Sequence, residues 1–330
     1  MAHKRKKKRV LVTGAGGFIG SALVYALNQR GMENILVTDV LGRDEKWKNL
    51  SPLKFDDYLQ ADELLAALEF DTLGPIDTIF HLGACSATTE TDGAYLVENN
   101  YRYTQTLAEW ALKNGTRFVY ASSAATYGDG ERGMDDRDKD LAKLRPLNLY
   151  GYSKHLFDLH AQRRGYLGDI VGIKYFNVYG PNEYHKGHMA SVLAKVFDGA
   201  KAGQPVRLFK SHREGIADGE QRRDFIYVED AVAVLHWLLE RGSVNGIFNV
   251  GTGKAESFRD MITAMFSALG RTPNIEYIDM PEAIRGQYQY FTQASTENLR
   301  RAGYDGQFTP LNNAVERYVT GYLNSADRFR

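Results

Sequence analysis

The chain has 330 residues, enough for one large domain or two modest ones, and its 41 basic residues balance its 41 acidic ones. That balance excludes the strongly charged surface that grips nucleic acid or an anionic membrane, and no stretch approaches the roughly 18 apolar residues of a membrane span. A single cysteine, Cys85, excludes an internal disulfide and fits a reducing compartment, so the expected location is cytoplasmic.

In chain order, residues 1–8 of "MAHKRKKKRV" form a basic run that reads as a solvated tail. With the apolar stretch behind it, the run imitates a secretory signal. Gly14, Gly16, Gly17 and Gly20 suit a turn better than an apolar helix, however. "KRVLVTG" reads as a short strand, and "FIGSALVYALNQRG" has helical spacing and a glycine stop. "NILVTDV", "PIDTIFHLGA" and "RFVYASSAATYG" read as further strands, with the helical "YLVENNYRYTQTLAEWALKNG" before the last. "LYGYSKHLFDLHAQRRGY" is a predicted helix and "DIVGIKYFNVYG" a predicted strand. Such interleaving predicts βαβ units, hence an α/β fold with a Rossmann-type doubly wound parallel sheet and helices on both faces.

Beyond "YGP" the alternation breaks. A helix-like "ASVLAKVFDGAKAG", a strand-like "PVRLF" and the polar "SHREGIADGEQRRD" intervene, and then "FIYVEDAVAVLHWLLERG" and "GIFNVGTG" are expected to rejoin the sheet. The predicted organisation is an NAD(P)-binding domain from residues 9–176 and 222–252. A smaller mixed α/β substrate lobe would come from residues 177–221 and 253–325.

Two motifs carry chemistry. "TGAGGFIG" places Gly14, Gly17 and Gly20 directly after a strand and at the start of a helix. Glycine there permits a tight turn and lets backbone approach a pyrophosphate, while the helix N-terminus supplies free N–H groups and partial positive charge. Asp39 ends the next strand, 19 residues after Gly20, where an acidic side chain would accept ribose hydroxyls. A carboxylate beside a 2′-phosphate would repel it, which favours NAD, whereas Arg43 and Lys46 would offset the repulsion, so NAD and NADP both stay open. The second motif, "LYGYSK", puts Tyr150 and Lys154 one helical turn apart, on one face. An ammonium about 4 Å from the phenol is worth roughly 4 kcal/mol at an effective dielectric near 20, about three pKa units, and would make the tyrosine a usable base.

In order and spacing, the glycine turn, "SSA" at 122–124 and the Tyr–Lys helix resemble the extended short-chain dehydrogenase/reductase family, as do "HLGA", Asn99 and "FNVYGP". The resemblance covers nearly the whole chain from residue 9. It implies that Ser123 hydrogen-bonds the reacting oxygen, that Tyr150 is the acid–base group and that Lys154 holds the nicotinamide ribose. Members that dehydrate nucleotide sugars carry an Asp-Glu pair where Tyr127 and Gly128 follow Thr126, which disfavours dehydration. "RRDFIYVED" resembles a segment whose arginine, here Arg223, grips a diphosphate, a task suited to a planar guanidinium fork.

"GACSATTE", "YFNVYGPNEYHKGHMASV", "RRDFIYV", "FNVGTGKAESF" and "GQYQYFTQA" closely resemble the ADP-glyceromanno-heptose 6-epimerases, nucleotide-sugar epimerases of lipopolysaccharide core assembly. In that family the lysine of "HKG", here Lys186, is a second catalytic base. Oxidation at the exocyclic C6 gives a ketone, rotation about one bond presents its other face, and hydride returns, so Tyr150 would serve one epimer and Lys186 the other. The implied cofactor contacts are Gly14, Gly17, Phe18, Ile19, Gly20, Asp39, Val40, Lys46, Leu82, Gly83, Ala84, Cys85, Ser86, Asn99, Lys154, Val178 and Lys186. The implied substrate contacts are Ser123, Asn177, His188, Lys195, Phe209, Arg223 and Tyr288. By resemblance the cofactor is NADP, the substrate an ADP-heptose and the assembly a homo-oligomer, with a pentamer among the implied forms; no membrane or nucleic-acid partner and no metal is expected.

The chain departs from that pattern at His188, where the family carries serine, and at Lys195, where it carries histidine. Val40 and Ala61 replace polar neighbours of the cofactor, and the 211–221 loop is longer. Two other readings stay open: a different nucleotide-sugar epimerase or reductase on this scaffold, and a non-catalytic cofactor-binding interaction protein, which the complete catalytic set disfavours.

Overall fold

The computed structural model describes residues 8–137, 140–286 and 288–330, so all of the basic tail but Lys8 lies outside the described residues. The strands are β1 (Val10–Thr13), β2 (Ile35–Asp39), β3 (Asp57–Gln60), β4 (Thr78–His81), β5 (Arg117–Ser123), β6 (Val171–Tyr175), β7 (Asn177–Tyr179), β8 (Val206–Phe209), β9 (Arg222–Tyr227), β10 (Gly246–Val250), β11 (Ala255–Ser257) and β12 (Ile275–Ile278). Seven of them form one sheet in the order β10–β6–β5–β4–β1–β2–β3, with every pair parallel. The order reverses between β1 and β4, which opens a crevice at the carboxyl ends of those strands. Every residue of β1, β2, β4 and β6 is buried, as expected of a parallel sheet covered on both faces.

The helices are α1 (Phe18–Asn28), α2 (Ala61–Glu69), α3 (Gly93–Leu96), α4 (Tyr103–Lys113), α5 (Leu149–Arg163), α6 (Val192–Lys201), α7 (Val228–Glu240), α8 (Phe258–Ala268), α9 (Glu282–Arg285), α10 (Glu297–Arg301) and α11 (Leu311–Tyr318). α1 and α7 cover one face of the sheet through Leu23, Leu27, Leu235 and Leu238. α2, α4 and α5 cover the other through Leu64, Leu107, Ala111 and Phe157. A separate apolar cluster joins Tyr179, Leu193, Phe197, Met261, Met265 and Tyr318, all from beyond residue 177.

Three features differ from the sequence expectation. β9 does not rejoin the large sheet: β10 occupies the outer edge of β6, and β9 pairs instead with β7 and β11 in a three-stranded sheet. Residues 57–69 form β3 and α2, for which no element was predicted; the Glu63 carboxylate accepts from the Gln60 backbone N–H at 2.6 Å and so caps α2. The single helix expected over residues 95–115 is interrupted by a π-helical turn at Val97–Arg102, the wide geometry that often marks a functional position.

Between α5 and β6 lies an ion pair with both side chains wholly buried, Lys174 Nζ to Asp158 Oδ2 at 2.5 Å. Tyr120 donates to Asp158 Oδ1 at 2.9 Å, Ser122 to Oδ2 at 2.8 Å, and Lys174 to Thr126 Oγ1 at 2.6 Å. The network therefore fastens α5 to β5 and β6 on either side of Ser123. Asp158→Ala would leave the Lys174 ammonium buried and unpaired, at a cost of about 3–5 kcal/mol. The expected outcome is a lower urea midpoint with an unchanged slope, measured by equilibrium unfolding.

Candidate active site

The glycine turn packs as its sequence requires. A Cβ on Gly20 would lie 2.1 Å from the Gly14 carbonyl oxygen, and one on Gly14 would lie 2.6 Å from Gly83. α1 starts at Phe18 and Ile19 behind Gly17 with no capping side chain and no acidic residue in its first turn, which leaves its positive end open to an anion. Thr13 binds the His81 ring at 2.7 Å and accepts from the Gly83 N–H at 3.1 Å, tying the end of β1 to the loop Leu82–Ser86. In that loop Ala84 and Ser86 are exposed, while Leu82 and Cys85 are half-buried.

Asp39 does more than the sequence suggested. Its Oδ2 accepts from the Gly16 and Gly17 amides at 2.8 and 3.2 Å, and its Oδ1 from the Val40 amide at 2.7 Å and Lys46 Nζ at 3.1 Å. Both oxygens expected to take ribose hydroxyls already accept from the chain, and Lys46 neutralises the carboxylate. The Val40 side chain stands open beside them, 61% exposed.

Tyr150 and Lys154 lie in the first turns of α5, which Asn148 caps by accepting from the Gly151 N–H at 2.8 Å. A Cβ on Gly151 would lie 2.8 Å from the Ala125 carbonyl oxygen, so glycine there lets α5 approach the turn after Ser123. Ser123 reaches the Tyr150 hydroxyl and favours its phenolate, yet burial outweighs this and moves the phenol above its ordinary value. Lys154 is nearly inaccessible and donates to the Ala121 carbonyl at 2.8 Å. Burial lowers it to about 8, against a partial offset from Asp158. The net lowering of Tyr150 expected from its spacing to Lys154 is therefore not reached: desolvation dominates the phenol. Cys85 lies within electrostatic reach of both Tyr150 and Lys154, which places the β4 loop at the same centre.

Lys186 sits in the loop after β7 with its Nζ 5.3 Å from the centre of the Phe18 ring, at the mouth of the glycine turn. Burial lowers its pKa, opposed by Glu183 and reinforced by Lys195. Lys195 in turn donates to the His188 carbonyl at 3.3 Å, and His188 Nε2 meets Thr89 Oγ1 at 3.3 Å. On β9 the Arg223 guanidinium lies 5.1 Å from the Tyr288 ring, and Tyr288 meets Phe209 edge-on at 6.3 Å. Arg223 is buried, 7% exposed, and among the described residues no carboxylate pairs with it. A buried guanidinium that donates to the Arg222 carbonyl at 2.9 Å and has aromatic rings beside it suits an anionic, ring-bearing ligand. Asn177 accepts from Thr292 at 3.4 Å on the exposed side of β7, and Val178 packs against the sheet core. Asn99 lies on the π-helical turn and donates to the Tyr95 carbonyl at 2.8 Å.

Residues 10–251 match the model of the NAD dependent epimerase/dehydratase family. The chain belongs to that family. It is 53% identical over 322 residues to the ADP-L-glycero-D-manno-heptose-6-epimerase of Nitratidesulfovibrio vulgaris (strain DP4), with 97% of this chain and 99% of the relative covered. The crystal structure of the Helicobacter pylori ADP-L-glycero-D-manno-heptose-6-epimerase superposes with a TM-score of 0.79 at 27% identity, covering 97% of this chain and 98% of that one. The UDP-glucose 4-epimerase of Thermus thermophilus, solved in complex with NAD, gives 0.75 at 27% identity over 94% of this chain and 97% of that one. Family membership makes a nicotinamide dinucleotide the group for the glycine turn, whose glycines let the backbone pack closely on itself and whose uncapped helix start fits a pyrophosphate. Among the described residues no helix is long and apolar enough to cross a membrane, and no cluster of His, Cys, Asp and Glu could hold a metal ion.

Sequence reasoning missed three side chains that shape this family site. Asn100, one residue past Asn99, is wholly buried; it accepts from the Cys85 amide at 2.8 Å and donates to the Cys85 carbonyl and to Ser153 Oγ, both at 2.9 Å. Asn49 donates to the Gly16 and Asn182 carbonyls at 2.9 and 3.1 Å. Glu183, wholly buried, accepts from Ser191 Oγ at 2.7 Å and from Tyr318 at 3.1 Å, and so anchors the Lys186 loop.

Lys154 gives a pH test. Its unfolded value of 10.5 falls to about 8 in the fold, so below about pH 8 the folded state carries a buried ammonium at a penalty. Between those values the unfolded chain holds a proton that the folded one has shed, and stability rises with pH. Lys154→Met therefore melts above the parent protein at pH 7, and the gap narrows as pH approaches 10.5, while turnover falls about a hundredfold or more. Thermal melts across that range, beside activity, check both halves.

Proposed function

We propose that the chain inverts C6 of the heptose in ADP-D-glycero-D-manno-heptose, giving the L-glycero epimer by transient oxidation and re-reduction. The observation that supports this reading is Lys186 over Phe18 at the start of the cofactor helix, while Ser123, Tyr150 and Lys154 gather beside the β4 loop, whose Gly83 packs on Gly14 of the same turn. Relatives of that name, matched over nearly the full length, support it.

Each residue then has a stated task. A bound NAD or NADP supplies the hydride acceptor and returns the same hydride, with no net redox change. Tyr150, held by Ser123, exchanges the hydroxyl proton of one epimer. Lys186, whose lowered pKa makes a neutral amine accessible nearer neutrality, exchanges that of the other. Lys154 orients the nicotinamide ribose. Gly14, Gly17 and Gly20 admit the pyrophosphate, Asn99, Val178 and the Leu82–Ser86 loop line its path, and Val40 lies open toward the adenine end. With Lys46 neutralising Asp39, a 2′-phosphate meets no net repulsion there, so NADP is admitted along with NAD. Arg223 holds the sugar diphosphate, and Phe209, Tyr288, Asn177, His188 and Lys195 complete the substrate contacts.

In this reading residues 9–176 and 222–252 form the cofactor domain and residues 177–221 and 253–325 the substrate lobe, with Arg223 and Val178 each serving the neighbouring lobe's ligand. The resemblance adds a cytoplasmic homo-oligomer, a pentamer among the implied forms, working in lipopolysaccharide core precursor synthesis.

Proton NMR of ADP-D-glycero-β-D-manno-heptose with the purified protein tests the reading directly. Approach to an equilibrium mixture with the L-glycero epimer, without added cofactor, is the expected result. No change after adding NAD and then NADP overturns the heptose assignment, and stoichiometric loss of reduced cofactor makes the enzyme a reductase. Arg223→Met should raise the KM roughly tenfold or more through the lost charged hydrogen bonds. Lys186→Met should lower kcat by about two to four orders of magnitude.

A further inference from the structure

Glu183 anchors the Lys186 loop from within, and residues 328–330 hold it from outside. The side chain of Arg330 is 3% exposed, an unusual place for a guanidinium. It pairs with Glu229 at the start of α7 at 3.0 Å, and lies 5.4 Å from the Tyr25 ring on α1 and 5.3 Å from the Tyr322 ring. Its backbone N–H donates to Asn182 Oδ1 at 3.3 Å. Asn182 adopts a left-handed conformation, φ +74°, and donates to Ser21 on α1 at 3.1 Å, while its carbonyl accepts from Asn49. Two residues on, the Tyr184 hydroxyl donates to the Arg328 carbonyl at 2.9 Å, and the Phe329 ring packs edge-on to Tyr184 at 5.5 Å. Arg328 meets both oxygens of Asp198 on α6, at 2.5 and 3.1 Å.

We propose that residues Arg328–Arg330 form a clamp that positions Lys186 for catalysis, with Arg330 and Phe329 as positioning residues acting through Asn182 and Tyr184. Every contact needed is in place: the clamp holds positions 182 and 184, and Lys186 follows within the same turn. α1, which carries Phe18, is gripped at Tyr25 by Arg330 and at Ser21 by Asn182, to which Arg330 is bonded. The clamp therefore fixes the ammonium and the ring beneath it relative to each other. Burying an arginine is costly, and here it joins α1, α7, the segment after α11 and the catalytic loop at one point.

The inference rests on Lys186 being a base in the epimerisation proposed above. The charged and titratable groups that face it are Glu183, Lys195 and its neighbour His185. Loosening the clamp exposes Lys186 to water, which favours the ammonium and moves its titration to higher pH.

The test compares the parent protein with Arg330→Ala, Arg330→Lys and Phe329→Ala by kcat, KM and the pH dependence of kcat, after thermal melts have established folding. Parent turnover of the heptose substrate is measured first, and its absence sinks the functional reading rather than the clamp. The expected result for Arg330→Ala is a kcat lowered about tenfold or more with KM within about twofold, and one limb of the pH profile moved upward. Arg330→Lys, which keeps the cation, recovers most of the loss, and Phe329→Ala shifts the profile in the same direction by less. A fall in kcat with an unmoved pH profile means that the segment serves only stability, and overturns the clamp. If Arg330→Ala does not fold, Phe329→Ala decides: parent-like kcat and pH dependence overturn the proposal.

Discussion

The site depends first on the carboxylate of Asp39. Four donors converge on it: the amides of Gly16, Gly17 and Val40, and the ammonium of Lys46. Hydrogen bonds to an ionised acceptor are the strong ones, and these fix the glycine turn against the end of β2. Asn49 extends the same network from the Gly16 carbonyl to the Asn182 carbonyl, so the cofactor turn and the Lys186 loop share one hydrogen-bonded frame. The frame also changes how an acidic residue at a strand end is read. At that position a carboxylate usually signals NAD, but a carboxylate already paired with a lysine carries no net repulsion for a phosphate.

Burial sets the resting charges of the proposed catalytic groups. It moves the Tyr150 phenol up and the Lys154 and Lys186 ammonium groups down, because a low dielectric penalises whichever form is charged. The resting site therefore favours a neutral phenol, and Ser123 is the group that opposes this. A positive charge brought beside Tyr150 would favour the phenolate. Its activation is thus conditional on what occupies the crevice, not built into the Tyr–Lys spacing alone.

Much of this was legible in the sequence. Unbroken apolar runs gave away the buried strands, and the glycine spacing could only be met by backbone approaching within a Cβ radius, as Gly14 and Gly20 do. Asn100 was not legible, because the π-helical turn shifts the register by one and turns Asn100 rather than Asn99 toward Cys85. Asn49 and the Tyr318 contact of Glu183 were hidden for a different reason: no local pattern encodes a contact to a remote segment, 133 residues away from Asn49 to Asn182 and 135 from Glu183 to Tyr318. β9 was misplaced because an apolar strand does not name its neighbour. Only the edge already occupied by β10 decides that. α2 did carry a signal, Gln60 and Glu63 ahead of a leucine periodicity, which the polar start of β3 obscured.

An exocyclic carbon explains why the Lys186 loop needs so much support. A ring carbon is held by its ring, so one acid–base group can serve both faces once the sugar turns as a body. At C6 the ketone turns about a single bond while the nucleotide stays held, and its oxygen moves between two places. A proton-exchanging group is then needed at each, fixed to within a fraction of an ångström, although one belongs to a helix and the other to a loop. Tyr150 inherits its position from α5 and the buried Asp158–Lys174 pair. Lys186 has no helix to inherit from. Glu183 within the loop, Asn49 below it and the Arg328–Arg330 segment outside it supply the rigidity that secondary structure gives Tyr150.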